Sequence, residues 1–390
     1  MSWEKVKLGD ICAWVASGGT PLTSKADYYS PKEIPWLKTQ EVNYCRIYET
    51  NNQISKKGLE NSSAKLIPAN AVIVAMYGQG DTAGRVAINK IPLCTNQACC
   101  NLVIDENKAD YEFVYYNLCT LYDKLVSLKN GGAQPNLNAG LIKNLEISLP
   151  PLSTQKRIAD ILSAYDDLIE NNQKQIKLLE EAAQRLYKQW FIDLKFPGHE
   201  TTPIVDGLPE GWRKEKLVDL ASVQFGYAFD GSLFNSNGNG TPIVRIRNIP
   251  DGFTNDYTTE NAPEEYIINN GDIVVGMDGE FHINSWSGDK SYLVQRSCCF
   301  RPHNPKIKGW LLWAIHDPIK FFEKTVVGAT VAHLGKKHID TIELLMGPEN
   351  LYKPFQDYFN KRQLLLNQNR KLAESRNRLL PKLMNGEMEV

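Results

Sequence analysis

The sequence is short of most features that would name a chemistry. Its 390 residues contain no apolar run approaching the length of a helical membrane span, and the opening "MSWEKVKLGD" does not read as a signal peptide. A cytoplasmic protein with no membrane partner is expected. None of the 8 cysteines stands in a C-x-x-C pair. The adjacent pairs Cys99-Cys100 and Cys298-Cys299 lie in apolar, strand-like runs, so buried free thiols in a reducing compartment are expected rather than a metal or disulfide framework. The glycine-rich stretch "GQGDTAG" (78–84) lacks the Lys-Ser or Lys-Thr of a phosphate loop and does not match G-x-G-x-x-G. It reads as a turn between strands. Asp278 and Glu280 are spaced like a nuclease carboxylate pair, yet no lysine completes the set. There is no N-P-P-Y-type motif to hold a flipped base, since Pro150-Pro151 lack a preceding Asn or Asp. All 6 histidines fall in the C-terminal half. No catalytic residue, no metal ligand set and no cofactor is therefore assigned to this chain.

Net charge is scarce too, at −1, so nothing global marks a nucleic-acid binder. What is present in quantity is repetition. "SWEKVKLGDICA" (2–13) returns as "GWRKEKLVDLAS" (211–222), and "AVIVAMYG" (71–78) returns as "DIVVGMDG" (272–279). "NQACCNL" (96–102) matches "QRSCCFR" (295–301), with the two Cys-Cys pairs in register, and "GGAQPNLNAGLIKNLEISLP" (131–150) matches "VGATVAHLGKKHIDTIELLMGP" (327–348). The offset drifts from 209 to about 197, as small loop differences would cause. A period this long means a duplicated domain rather than a solenoid.

Each copy ends in a different kind of segment. Residues 153–191 and 351–383 contain no glycine. In the first, Ile158, Leu162, Tyr165, Ile169, Asn172, Ile176, Leu179, Ala183, Leu186 and Trp190 are spaced alternately four and three apart. That rhythm is a coiled-coil seam, narrower than the stripe of a helix lying on a sheet. The second keeps it through Phe355, Phe359, Arg362, Leu366, Asn369, Ala373, Arg376, Leu380 and Leu383, weakened by two arginines. Ser153 or Thr154 can cap the first helix, and Pro381 should bend or fray the last turn of the second.

A seam on a lone helix would leave an apolar stripe exposed, so each helix needs a partner. The other helix is the nearest, and pairing them antiparallel would place one globule at each end, related by an approximate two-fold axis. The alternative is that each helix packs on its own globule or on another molecule. Within the globules, short apolar runs bounded by Gly, Pro and Asn signal strands, followed by helical stretches near 111–128 and 309–325. The fold class expected is α+β: two similar, mostly β globules at 1–152 and 196–350, and two long spacer helices at 153–195 and 351–390.

The residues that carry these features resemble a known family. "LPPLSTQKRIADILSAYDDLI", "LEEAAQRLYKQWFIDLKFPG", the terminal "RLLPKLMNGEMEV" and the second opening "GWRKEKLVDLA" look like the specificity subunit of type I restriction–modification enzymes, along essentially the whole chain. The resemblance implies that each globule is a target-recognition domain reading one half of a split, asymmetric site in double-stranded DNA. It implies that the helices set the gap and dock two methyltransferase (M) subunits, which carry S-adenosylmethionine. Restriction (R) subunits, which use ATP and Mg, would join through that core of two M subunits and one S. A helix of about 39 residues spans ~58 Å, against ~34 Å for a DNA turn.

Base contacts are expected from loops at equivalent places in the two globules. In the first these are Thr20, Lys38, Gln40, Gln79, Gln134 and Asn136, and in the second Tyr227, Arg245, Arg247, Asn248, His333 and Lys336. Amide and guanidinium groups can bond bidentately to adenine or guanine edges. Solvated or turn-stabilising roles are the alternative for each. Asn172 and Asn369, the only asparagines on their seams, lie near mid-seam and should meet in an antiparallel pair, locking its register. One feature sits against DNA binding. Residues 1–152 carry 15 Lys and Arg against 14 Asp and Glu, but residues 196–350 carry 14 against 20. So acidic a globule releases few counterions unless its cations are gathered on one face or a partner supplies the phosphate contacts. The competing reading is a non-catalytic coiled-coil adaptor joining two protein-binding heads.

Overall fold

The structure is a computed structural model that describes residues 3–129, 136–325 and 332–390. Contacts divide the chain into two compact units, Met1–Asp167 with Glu374–Val390, and Leu168–Ala373.

In the first unit, a five-stranded sheet runs in the order Cys12–Ser17, Cys99–Ile104, Val72–Ala75, Val86–Asn89, Cys45–Ile47. Val72–Ala75 is buried at every position, as expected for an unbroken apolar run covered on both faces. A three-stranded sheet (Asn52–Ile54, Ile34–Leu37, Cys94–Thr95) stands beside it. The strand Glu4–Lys7 pairs antiparallel with Glu146–Leu149, closing the start of the globule on its end. In the second unit the same plan gives Ala221–Phe225, Ser297–Pro302, Ile273–Gly276, Ile283–Ser285 as a four-stranded sheet, and Arg213–Lys216 closes on Glu343–Met346.

The strand ladders correct one detail of the repeat. Val74 pairs with Cys100, and its counterpart Val275 pairs with Cys298. Ser17 likewise pairs with Cys100, and Phe225 with Cys298. Cys298 thus takes the place of Cys100, not of Cys99. Cys100 and Cys298 face the main core of their globule, while Cys99 and Cys299 face a smaller cluster on the other side of the sheet. Matching identical letters slipped the register by one residue, and one residue exchanges the faces of a strand. Burial pushes the Cys94 thiol up to about 11 and the Cys100 and Cys299 thiols up to about 12, so none of these offers a thiolate at neutral pH.

The long helices are Leu152–Tyr187, continued by a π-helical turn Lys188–Ile192, and Lys353–Met384. In the second unit Asn172 meets Asn369 and Glu180 meets Arg362, so the helices there run antiparallel. In the first unit Asp166 meets Arg376. Packing on the globules, set against pairing in the sequence reading, occurs alongside it. Ile158, Ala159, Leu162, Leu383 and Met384 complete the core of the first globule, and Ala183, Tyr187, Phe191, Phe355 and Phe359 that of the second. The narrow seam therefore widens near each helix end. The expected fraying at Pro381 is not found: the helix runs on to Met384, with Asn385 N–H donating to the Pro381 carbonyl at 3.0 Å. Burial of Leu383 and Met384 outweighs the hydrogen bond that proline forgoes.

The two arginines on the second seam are part of this packing. Arg362, with 8% of its side chain exposed, donates to Glu180 at 2.7 Å, to Ser285 Oγ at 2.7 Å and to Asn284 Oδ1 at 2.7 Å. Arg376 pairs with Asp166, whose other oxygen accepts from the Tyr116 hydroxyl at 2.5 Å. Burial works against the charge on Arg376, but the Asp166 carboxylate holds its pKa above the ordinary value. Each arginine ties both helices to the adjoining globule.

Candidate nucleic-acid interface

The rim of each globule is built where strand ends meet. In the first, Gly18 and Gly19 carry the chain across that edge. A Cβ on Gly18 would lie 2.2 Å from the Asn96 carbonyl oxygen and one on Gly19 2.2 Å from the Ser63 carbonyl carbon, so only glycine passes. Gly18 N–H donates to the Cys99 carbonyl and Gly19 N–H to that of Thr95. Thr20 follows and donates to Gln97 Oε1. Asn96 N–H in turn donates to the Leu37 carbonyl at 2.9 Å, which puts Lys38 beside the same turn. Its ammonium sits 5.3 Å from the Trp36 ring, and its backbone N–H is held by Glu41 Oε1 at 3.1 Å. Gln40 is exposed one step further on.

Gln79 and Asn136 join that edge through Met76. Met76 N–H donates to the Ala98 carbonyl at 2.8 Å, and its own carbonyl accepts from Leu137 at 3.0 Å. Both side chains are exposed. Arg85 braces the Gln79 loop by bonding Asp81 at 2.5 Å and Asn43 at 2.9 Å, which holds the Asp81 carboxyl below the usual range. Gln134 lies outside the described residues.

The second globule repeats the backbone and changes the side chains. Gly226 N–H donates to Ser297 as Gly18 does to Cys99, and a Cβ there would lie 2.1 Å from the Val294 carbonyl oxygen. Tyr227 stands next on the strand edge, packed on Phe229 and Tyr266 with ring centroids 4.8 and 5.0 Å away. Arg245 occupies the place of Lys38. Its guanidinium lies 5.4 Å from the Phe234 ring, and Asn248 Oδ1 accepts from its backbone N–H at 2.9 Å. Arg247 takes the place of Gln40 and is held by both oxygens of Asp256, at 2.7 Å from Nη2. Asn248 spends its amide nitrogen on Asp256 as well, at 3.2 Å. His333 Nδ1 lies 2.5 Å from Asp278 Oδ1, and Leu334 N–H bonds the Met277 carbonyl as Leu137 does that of Met76. Lys336 is exposed and opens the single helical turn Lys336–Ile339, beyond the buried Leu334.

Thr20, Lys38, Gln40, Gln79 and Asn136 thus share one edge of the first globule. Tyr227, Arg245, Arg247 and His333 share the matching edge of the second, with Lys336 set further along. Asn248, like Glu41, is engaged in shaping its loop. The corrected register exposes a pair that sequence reasoning missed: Gln97 and Gln295 sit at the same place in the two turns, both exposed. The signal was present in "NQACC" and "QRSCC", but aligning the cysteines hid it. Mid-seam, Asn172 Nδ2 donates to Asn369 Oδ1 at 2.9 Å, and Asn369 Nδ2 donates to the Ile169 carbonyl at 3.4 Å.

Among the described residues, no group of three or more His, Cys, Asp or Glu is placed to hold a metal ion, and no helix is long and apolar enough to cross a membrane. What both globules offer is a glycine-gated edge of amides, cations and aromatic rings. Residues 1–181 and 209–348 match the model of the type I restriction modification DNA specificity domain. The chain belongs to this family. It is 28% identical to the type I restriction enzyme MjaIX specificity subunit of Methanocaldococcus jannaschii, over all of this chain and 94% of that protein. It is 23% identical to the HindI specificity subunit of Haemophilus influenzae, over 99% of both chains. Its fold is shared with the type I restriction–modification S subunit of M. genitalium, at a TM-score of 0.58 and 17% identity, covering 98% of this chain and 96% of that one. The expected type I specificity subunit, with two mixed globules and long helices, is the protein that these matches describe.

Proposed function

We propose that this specificity subunit is the non-catalytic DNA reader of its system, each globule recognising one half of a bipartite, asymmetric site. The observation that carries the reading is one backbone edge built twice with different side chains. Where the first globule has Lys38 and Gln40, the second has Arg245 and Arg247, and Asn136 is replaced by His333. An edge that keeps its hydrogen bonds and changes its donors suits two different base sequences. Lys38 and Arg245, each resting on an aromatic ring, are the favoured base or phosphate contacts, while Glu41, Asn248 and Asp256 position the loops. The helices set the unread gap, with Asn172 and Asn369 fixing their register, and they dock two methyltransferase subunits. S-adenosylmethionine belongs to those partners, and ATP and Mg to the restriction subunits that join them.

The acidity of the second globule fits this assignment. Asp256, Asp272 and Asp278 each hold an arginine, so part of the negative charge serves to aim positive groups. Phosphate contacts then fall largely to the methyltransferase partner. Titrating duplex DNA with the subunit–methyltransferase complex at several salt concentrations tests the proposal. Tight binding to one bipartite sequence, with log affinity falling linearly in log salt, is expected. Affinity that ignores both salt and sequence would favour the adaptor reading instead.

A further inference from the structure

Arg296 is the residue at which the two recognition edges differ most. The ladder makes it the counterpart of Ala98, which is buried at 3% exposure, whereas the Arg296 side chain is 68% exposed. Its backbone has φ +67, a left-handed conformation that strains an ordinary L-residue and that glycine or asparagine adopts more readily. The strain is held from both sides. Met277 N–H donates to the Arg296 carbonyl at 2.8 Å, and the preceding Gln295 N–H donates to the Tyr227 carbonyl at 2.8 Å.

The side chain has a partner too. Arg296 Nη1 lies 3.1 Å from Asp278 Oδ2, and Asp278 Oδ1 meets His333. Asp278 is itself fixed by an isolated antiparallel backbone bridge to His333, and its carboxylate is mostly buried at 18% exposure. One carboxylate thus pairs with both Arg296 and His333 at the rim, and leaves donors of the guanidinium fork uncommitted to it. A planar fork held in place before binding is suited to the paired O6 and N7 acceptors of guanine in the major groove, and holding it beforehand lowers the ordering cost of binding.

We infer that Arg296, positioned by Asp278, reads a guanine in the half-site recognised by the second globule, a contact with no equivalent in the first. This rests on the proposal that each globule reads its own half-site. The test maps modified sites, by sequencing, in cells carrying the complete system with Arg296→Gly, Arg296→Lys or Asp278→Asn. Arg296→Gly removes the guanidinium but suits φ +67, so the variant should melt no lower than the parent. It should lose discrimination roughly 5- to 150-fold at one guanine of one half-site, the range of a bidentate arginine contact, and leave the other half unchanged. Arg296→Lys should retain only part of that discrimination, and Asp278→Asn should weaken it at the same base pair. A folded Arg296→Gly variant that keeps the parental site at every position overturns the inference, as does a second half-site without any G·C pair. Neither result touches the two-reader proposal, which fails separately if exchanging residues 209–348 for those of another specificity subunit leaves both half-sites unaltered.

Discussion

The two globules share a scaffold and differ at its rim. In the first, the exposed edge carries neutral amides and hydroxyls with one stacked lysine: Thr20 on Gln97, Gln79, Asn136, and Lys38 over Trp36. In the second, arginines are braced by carboxylates: Arg247 by Asp256, and Arg296 by Asp278, which also meets His333. The buried ladder leaves little room for change, because a Cβ at Gly18 or Gly226 would strike backbone about 2 Å away. The rim meets only water until a ligand arrives, so its side chains can be exchanged at little cost to the core. The comparison also shows that net charge misleads. The acidic globule is the one with three arginines at its edge, and two of them are held by its own acids.

The largest effect should come from the arginines that tie the globules to the helices. Arg362→Met leaves Glu180, Asn284 and Ser285 without their shared donor inside the second unit. Removing one member of a buried pair costs about 3–5 kcal/mol, which should lower the melting temperature by about 6–20 °C. Arg376→Met in the first unit should cost less, because the Arg376 side chain is 25% exposed against 8% for Arg362. Thermal melts of the two variants in the assembled complex check both size and order. Unchanged melting of Arg362→Met would mean that the network contributes nothing to stability.

Next in size are the stacked cations. Arg245→Ala should relax recognition of the second globule's half-site alone, and Lys38→Ala that of the first alone, each by about 1–3 kcal/mol. Methylation of a panel of single-base site variants by the purified complex reads this out. Equal loss at both half-sites from either substitution would point to a folding defect and not to a lost contact. The smallest effect concerns the paired amides. Replacing both Asn172 and Asn369 with Leu should raise stability by about 1 kcal/mol, yet widen the range of spacer lengths accepted. Spacing as sharp as the parent's in that double variant would remove the register-locking role.

The duplication, the strand runs and the seams were all legible in the sequence, because periodicity and repeated apolar runs record burial directly. The meeting of Asn172 with Asn369 was legible for the same reason: two amides at mid-seam can reach each other only if the helices oppose. Four things were not. The role of Arg362 and Arg376 was hidden because their partners Glu180, Asp166 and Ser285 are far away in sequence, and charge on a seam looks like weakness until the partner is known. That the last turn around Pro381 does not fray depends on the burial of Leu383 and Met384, which no local rule supplies. The equivalence of Gln97 with Gln295 was concealed by the cysteine pairs, whose letters align one residue away from where their side chains do. Among the proposed contacts, residue type alone could not separate Asn248, engaged with Arg245 and Asp256, from its exposed neighbours.

The central claim is that one chain carries two independent readers with different preferences. Sequencing modified adenines across the genome of cells that carry the complete system measures this most directly. One non-palindromic motif is expected, made of two different specified halves separated by a fixed number of unread base pairs. A palindromic motif, or one contiguous block with no gap, would contradict it.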